Sequence, residues 1–171
     1  MSYTVRYAKR EDSPGVVNLL LALAKFEHLD PPDNGSRRRI INDIFSKKLV
    51  KLFVAVDDDS GKLVGYALYF YTYSSFLARP TLYLEDIFVL EEHRRRGVGR
   101  DLFISCVREA EKNGCGRMEW AVLTWNEKAI HFYEKLGAKR LDDWFYYRLS
   151  DENLKILSRK NEKEKDPMFR Q

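Results

Sequence analysis

A run of β-forming residues, TLYLEDIFVL at 81–90, ends in HRRRGVGR at 93–100, and apolar residues then recur at helical spacing as far as Lys112. Strand, cationic glycine loop and helix in direct succession constrain the fold more than any other stretch of the chain. The loop brings several backbone N–H groups to the positive end of a helix dipole. Gly97 and Gly99 allow close approach to an anion, and the flanking Arg94, Arg95 and Arg96 can add charge-assisted hydrogen bonds. A diphosphate is the natural guest, although an exposed loop with a cationic helix start would show the same pattern. Leu102 stands where a dinucleotide fingerprint needs its third glycine, and no Gly-Lys-Ser/Thr follows. Rossmann and Walker A loops are therefore disfavoured.

The strand RMEWAVLT at 117–124 follows the helix, and a helical crossover places it parallel to the strand at 81–90. Upstream, Tyr3 to Tyr7 alternates as a strand, and Asp12-Ser13-Pro14 opens a helix with Val16, Leu19, Leu20, Leu23 and Phe26 on one face. A second helix is expected over 36–48. Val50 to Val56 and LVGYALYFYTY at 63–73, joined by DDDSGK, read as an antiparallel hairpin. After a helix over 127–136, stopped by Gly137, DWFYYRL at 143–149 reads as a further strand. The sum is an α+β fold: a mixed, mostly antiparallel central sheet with helices on both faces and one β-α-β unit. One domain is expected over 1–150, with a short helix and frayed tail over 151–171.

The chain has 171 residues, 44% hydrophobic and 33% charged, with no apolar run near the length of a membrane helix. The start, MSYTVRYAKR, lacks an apolar signal core, so no membrane and a cytoplasmic location are expected. Cys106 and Cys115 form no CxxC pair, and His28, His93 and His131 show no ligand spacing with them, so no metal is expected. The net charge of +4 is mild, and the arginine clusters at 37–39 and 94–96 have no aromatic interleaving. No nucleic-acid partner is expected.

RRRGVG at 94–99 resembles the Arg/Gln-x-x-Gly-x-Gly/Ala pyrophosphate loop of the GNAT superfamily of N-acetyltransferases, and the order of elements is similar to that fold. YLEDIFV at 83–89, AVLTWN at 121–126, the stretch from Asn126 to Tyr133, Gly137-Ala138 and LAKFE at 23–27 resemble the spermidine/spermine and thialysine N-acetyltransferase subfamily. The resemblance implies acetyl-CoA as donor. Its pyrophosphate would lie on the backbone of Arg95, Arg96, Gly97, Val98, Gly99 and Arg100, with Arg94 as a cationic contact. The pantetheine arm would insert between two splayed strands against Ile87, Phe88 and Val89, and Asn126 would touch the cofactor.

An amine acceptor with a lysine-like pKa of about 10.4 is almost entirely protonated at neutral pH, and only the neutral form attacks. Strand alternation puts Glu85 on the side of Ile87 and Val89, where it would attract the ammonium and help it lose a proton, through a water. Asp86 is expected on the opposite face as a structural acid. Tyr133 matches the family's general acid, which would protonate the leaving thiolate. Phe26, Glu27, Glu119, Trp120 and Ala121 are candidate acceptor contacts, with Phe26 and Trp120 lining one pocket. Ser74 stands where polyamine-specific members carry an acid, which tilts the expectation to thialysine or a lysine-like amine; Asp142 and Asp143 lie near a late acidic position. A polyamine acetyltransferase, a peptide acetyltransferase and a non-catalytic acyl-CoA-binding protein are the alternatives. The resemblance also implies a homodimer.

Overall fold

The protein is described here by a computed structural model covering residues 2–159. The expected tail beyond Arg159 lies outside the described residues. The described residues divide into two compact units, with the boundary between Leu123 and Thr124.

In the first unit, β1 (Tyr3–Tyr7), β2 (Lys51–Asp57), β3 (Leu63–Ser74), β4 (Arg79–Val89) and β5 (Arg117–Trp120) form an open sheet in that order. The first three pairings are antiparallel and β4 with β5 is parallel, so the sheet is mixed and mostly antiparallel as expected. The β2–β3 hairpin closes where Asp57 accepts from the Ser60 amide and Gly61 takes φ +68°. Helix α1 (Ser13–Phe26) starts with Pro14 in its first turn, where a missing N–H costs no intrahelical bond. Helix α2 (Asn34–Phe45) starts two residues earlier than its apolar spacing suggests, because the Asp33 carboxylate caps the Ser36 amide at 2.6 Å. Helix α3 (Val98–Lys112) is the crossover between β4 and β5.

Alternation assigns the two sheet faces. Leu52, Val54, Tyr66, Leu68 and Phe88 pack with Val16, Leu19 and Ile44 of α1 and α2. On the other face Tyr7 stacks on Phe53 and Phe53 on Tyr69, under α3. Glu109 of α3 is buried against that face, accepting from the Tyr7 hydroxyl at 2.6 Å, the Tyr71 hydroxyl at 3.0 Å and Lys51 Nζ at 3.2 Å. Burial pushes its carboxyl up, but these hydrogen bonds and the Lys51 charge outweigh burial and hold it at about 2.

The second unit contains α4 (Glu127–Lys135) and α5 (Asp151–Arg159). Gly137 at φ +86° follows the end of α4. Residues 143–149 form no strand, contrary to the reading of DWFYYRL, and Trp144, Phe145, Tyr146 and Tyr147 are exposed. Such a sequence favours a pleated surface, but a strand exists only where a neighbour accepts its ladder of hydrogen bonds. The reading of 117–124 as one strand is corrected for the same reason. Pairing with β4 stops at Trp120, and Val122 and Leu123 are exposed.

Candidate active site

The parallel register pairs Thr81 with Arg117 through Leu84 with Trp120, and there it ends. From Glu85 to Val89, β4 keeps β3 on one side but has no strand on the other among the described residues. Backbone N–H and C=O groups on that side are a ready template for an extended guest. Ile87, Phe88 and Val89 stand along this open edge, and the Val89 carbonyl already accepts from Arg94 Nε at 2.8 Å.

The β4 edge leads through a short 3₁₀ turn, Glu91–His93, into the arginine and glycine loop. Arg95 adopts φ +59° and Gly97, the N-cap of α3, adopts φ +88°. The first intrahelical bond runs from the Asp101 amide to the Gly97 carbonyl, so the amides of Val98, Gly99 and Arg100 have no acceptor within the helix. Arg95, Arg96 and Arg100 are exposed around this end. The loop thus combines a left-handed turn, helix-terminal donors and positive charge, the donor set a diphosphate requires. Arg94 is placed differently. Its guanidinium lies over the rings of Phe26 at 4.6 Å and Phe88 at 5.5 Å while Nε holds Val89, so it locks the loop onto α1 and β4.

A Cβ at Gly97 would stand 3.0 Å from the Tyr3 hydroxyl, which donates to Asp101 at 2.7 Å. Gly97→Ala therefore combines a left-handed backbone penalty of about 1–2 kcal/mol with pressure on that contact. A fall in melting temperature of about 4 °C is expected in a thermal scan, and an unchanged value would show that the loop relaxes without strain.

A β-bulge sets the acidic end of the site. Asp86 pairs with Leu68 but Leu84 pairs with Tyr69, which leaves Glu85 as the extra residue on β4. Directly opposed residues share a face. Leu82 and Leu84 therefore face α3 before the bulge, Ile87 and Val89 face α3 after it, and simple alternation fails at Glu85. The bulge puts exposed Glu85 next to half-buried Asp86, whose carboxylate accepts from the Tyr66 hydroxyl at 3.3 Å on the α1 side. Glu27, the C-cap of α1, is half-buried on this side, and burial raises its carboxyl. Burial likewise pushes the Asp86 carboxyl up to about 6, the charges of Glu85 and Glu27 add to the rise, and the Tyr66 hydrogen bond opposes it. Sequence reasoning placed Glu27 and Glu85 here but set Asp86 apart. The adjacent acids in an apolar run were the available sign of a bulge.

The remaining candidates divide between places. Phe26 closes α1 with its ring 6.1 Å from Phe88, whereas Trp120 lies edge-on to Phe103 of α3 at 5.3 Å. The two rings pack on opposite faces of the sheet and share no wall, contrary to the expectation of one pocket. Glu119 is ion-paired with Arg117 at 2.8 Å, and Ala121 is exposed just beyond β5. Ser74 is buried and accepts from the Leu77 amide at 3.3 Å, so it closes the turn after β3. In the second unit, Asn126 caps α4 by accepting from the Ala129 amide. Tyr133 is buried, its ring edge-on to Phe132, and burial pushes its phenol up to about 12. Asp142 pairs with Arg140 on the surface. Among the described residues no group of three or more His, Cys, Asp or Glu side chains is arranged to hold a metal ion, and no helix is long and apolar enough to cross a membrane.

An open β4 edge runs into a helix-terminal anion cradle, and residues 18–138 match the acetyltransferase (GNAT) family. The chain belongs to that family. A mouse thialysine N-epsilon-acetyltransferase is 30% identical over 167 residues, covering 92% of this chain and 98% of that protein. An L-ornithine N5-acetyltransferase from Arabidopsis thaliana is 41% identical over 99 residues, but the chain spans only 43% of that relative. An integron cassette protein from the V. cholerae mobile metagenome superposes with a TM-score of 0.77 at 25% identity, covering 93% of this chain and 99% of that one. The mouse and Arabidopsis thaliana relatives are both N-acetyltransferases, and this protein is an acyltransferase of the same family.

Proposed function

We propose that the protein moves the acetyl group of acetyl-CoA to a primary amine of a small, lysine-like or diamine substrate by direct attack, with a thialysine-type acceptor favoured. The carrying observation is the unpaired β4 edge from Glu85 to Val89 continuing into the Gly97 turn and the free amides of α3. That surface suits an extended amide-containing arm ending in a diphosphate, and acetyl-CoA would supply an acetyl group activated as a thioester. Ile87, Phe88 and Val89 would pair with the arm, and residues 95–100 would hold the diphosphate.

The acceptor end is cationic by the same logic. Glu27, Glu85 and Asp86 gather negative charge at the bulge, which attracts an ammonium and disfavours an acidic acceptor. Glu85, exposed at the mouth, holds the ammonium and relays its proton through water. Tyr133, whose phenol stays protonated through neutral pH, is the donor for the departing sulfur. The compact cluster, and a buried turn-forming Ser74 where a polyamine reader would need an exposed acid, support a short acceptor over a long tricationic one.

The test is initial-rate comparison of thialysine, lysine, putrescine and spermidine by thiol release. The account expects thialysine to have the highest kcat/KM. Preference for spermidine would move the acceptor to polyamines.

A further inference from the structure

Removing a proton from an ammonium requires a group to hold that proton while the amine attacks. Glu85 is exposed to solvent at the mouth of the site. Behind it stands a carboxylate in a different setting. Asp86 is withdrawn from solvent on the α1 side of the sheet, opposite Leu68 and two positions along β4 from buried Phe88. Its Oδ2 accepts from the hydroxyl of Tyr66, a fully buried residue of β3. That hydrogen bond leaves Oδ1 as the basic position.

We infer that Asp86, oriented by Tyr66, is the group that finally takes the proton lost by the acceptor ammonium, with Glu85 as the relay at the mouth. This rests on the proposed function, which uses Asp86 only for its charge, and gives that residue a step in the chemistry. In the step, one N–H bond of the ammonium breaks and an O–H bond forms at Asp86 Oδ1. The electron pair stays on nitrogen, and the proton leaves to solvent after turnover. Tyr66 keeps its own proton throughout and is a positioning residue. The groups facing Asp86 are Tyr66 from β3, Glu27 from the end of α1 and Glu85 on β4. Arg94, a cation on this side, is engaged by the Val89 carbonyl and the rings of Phe26 and Phe88. Two neighbouring carboxylates and burial make Asp86 more basic than an ordinary aspartate, with a carboxyl near 6. It is thus ionised and ready to accept at neutral pH.

The sign of the stability effect separates this role from a structural one. A carboxyl raised from 3.8 to about 6 in the folded state favours folding when protonated. Its contribution is present below the unfolded value and is lost as pH rises through about 6. Above that range Asp86→Asn removes a costly buried charge, so it should melt no lower than wild type. An acid kept for pairing would melt lower when lost.

The experiment is the pH profile of kcat/KM with thialysine for wild type, Asp86→Asn, Asp86→Glu and Tyr66→Phe, with thermal melts of each protein at neutral and acidic pH. Wild type is expected to show an acidic limb near pH 6. Asp86→Asn should lose that limb and about 10²-fold in kcat/KM without a lower melting temperature above pH 7. Asp86→Glu should restore the limb, and Tyr66→Phe should move it to higher pH by removing a donor that favours the carboxylate. If Asp86→Asn keeps the limb, or loses activity only in step with its melting temperature, the inference falls while the acetyltransferase reading stands. If wild type turns over no amine, that reading falls and takes the inference with it.

Discussion

Tyr133→Phe lowers kcat for acetyl transfer by about 10²-fold or more while leaving acetyl-CoA affinity nearly intact. The expectation follows from what the substitution removes. The ring of Tyr133 is buried and edge-on to Phe132 at 5.3 Å, and phenylalanine preserves that packing. Only the hydroxyl is lost, and with burial pushing its phenol up to about 12 it keeps its proton throughout the working pH range. Steady-state rates paired with a binding titration of acetyl-CoA check the two halves separately. An unchanged kcat would make Tyr133 a core aromatic and remove it from the mechanism, whereas weakened binding with normal turnover would reassign it to holding the cofactor.

Glu109→Ala is expected to destabilise the fold by about 2–3 kcal/mol, because it removes a buried carboxylate that accepts from two tyrosine hydroxyls and from partly exposed Lys51. For a chain of this size that is a drop in melting temperature on the order of 10 °C. The pH dependence has a definite sign. A carboxyl held at about 2, against an ordinary value of 4.5, contributes stability that is fully present above the ordinary value and is lost as pH falls through about 2. The difference between wild type and Glu109→Ala should therefore narrow on acidification. A constant difference would show that packing rather than charge carries the effect. Glu109 lies across the sheet from the acidic cluster, so melting should change far more than substrate preference.

The parts of this fold that depend on local pattern were legible before any coordinates. The β2–β3 hairpin, the crossover helix and the parallel placement of β5 follow from period and turn residues, and the RRRGVG stretch stands where a helix begins. What depends on a neighbour was not. Trp144 to Tyr147 carry the residues of a strand but have none beside them among the described residues, and periodicity reports a side chain's preference rather than the presence of a partner. The same holds for β5, whose apolar continuation past Trp120 is unpaired. At the site, the cationic loop was readable but the use of Arg94 was not, since three adjacent arginines look alike until Phe26, Phe88 and Val89 surround one of them. Glu85 and Asp86 show the limit most clearly. Alternation assigns them to opposite faces, and the one-residue slip between Leu68 and Tyr69 that overrides it is a property of two strands together. Glu109 carried no signal at all, because its partners come from β1, β2 and β3.

The central claim is that an amine, and no other group, receives the acetyl unit. Its most direct test is a product stoichiometry: purified protein, acetyl-CoA and thialysine, with released thiol and acetylated amine quantified together, the latter by mass spectrometry. One N-acetylated amine is expected for each thiol, with no release above background without the amine. Thiol release that proceeds equally without amine, or without any acetylated amine in the products, would contradict it.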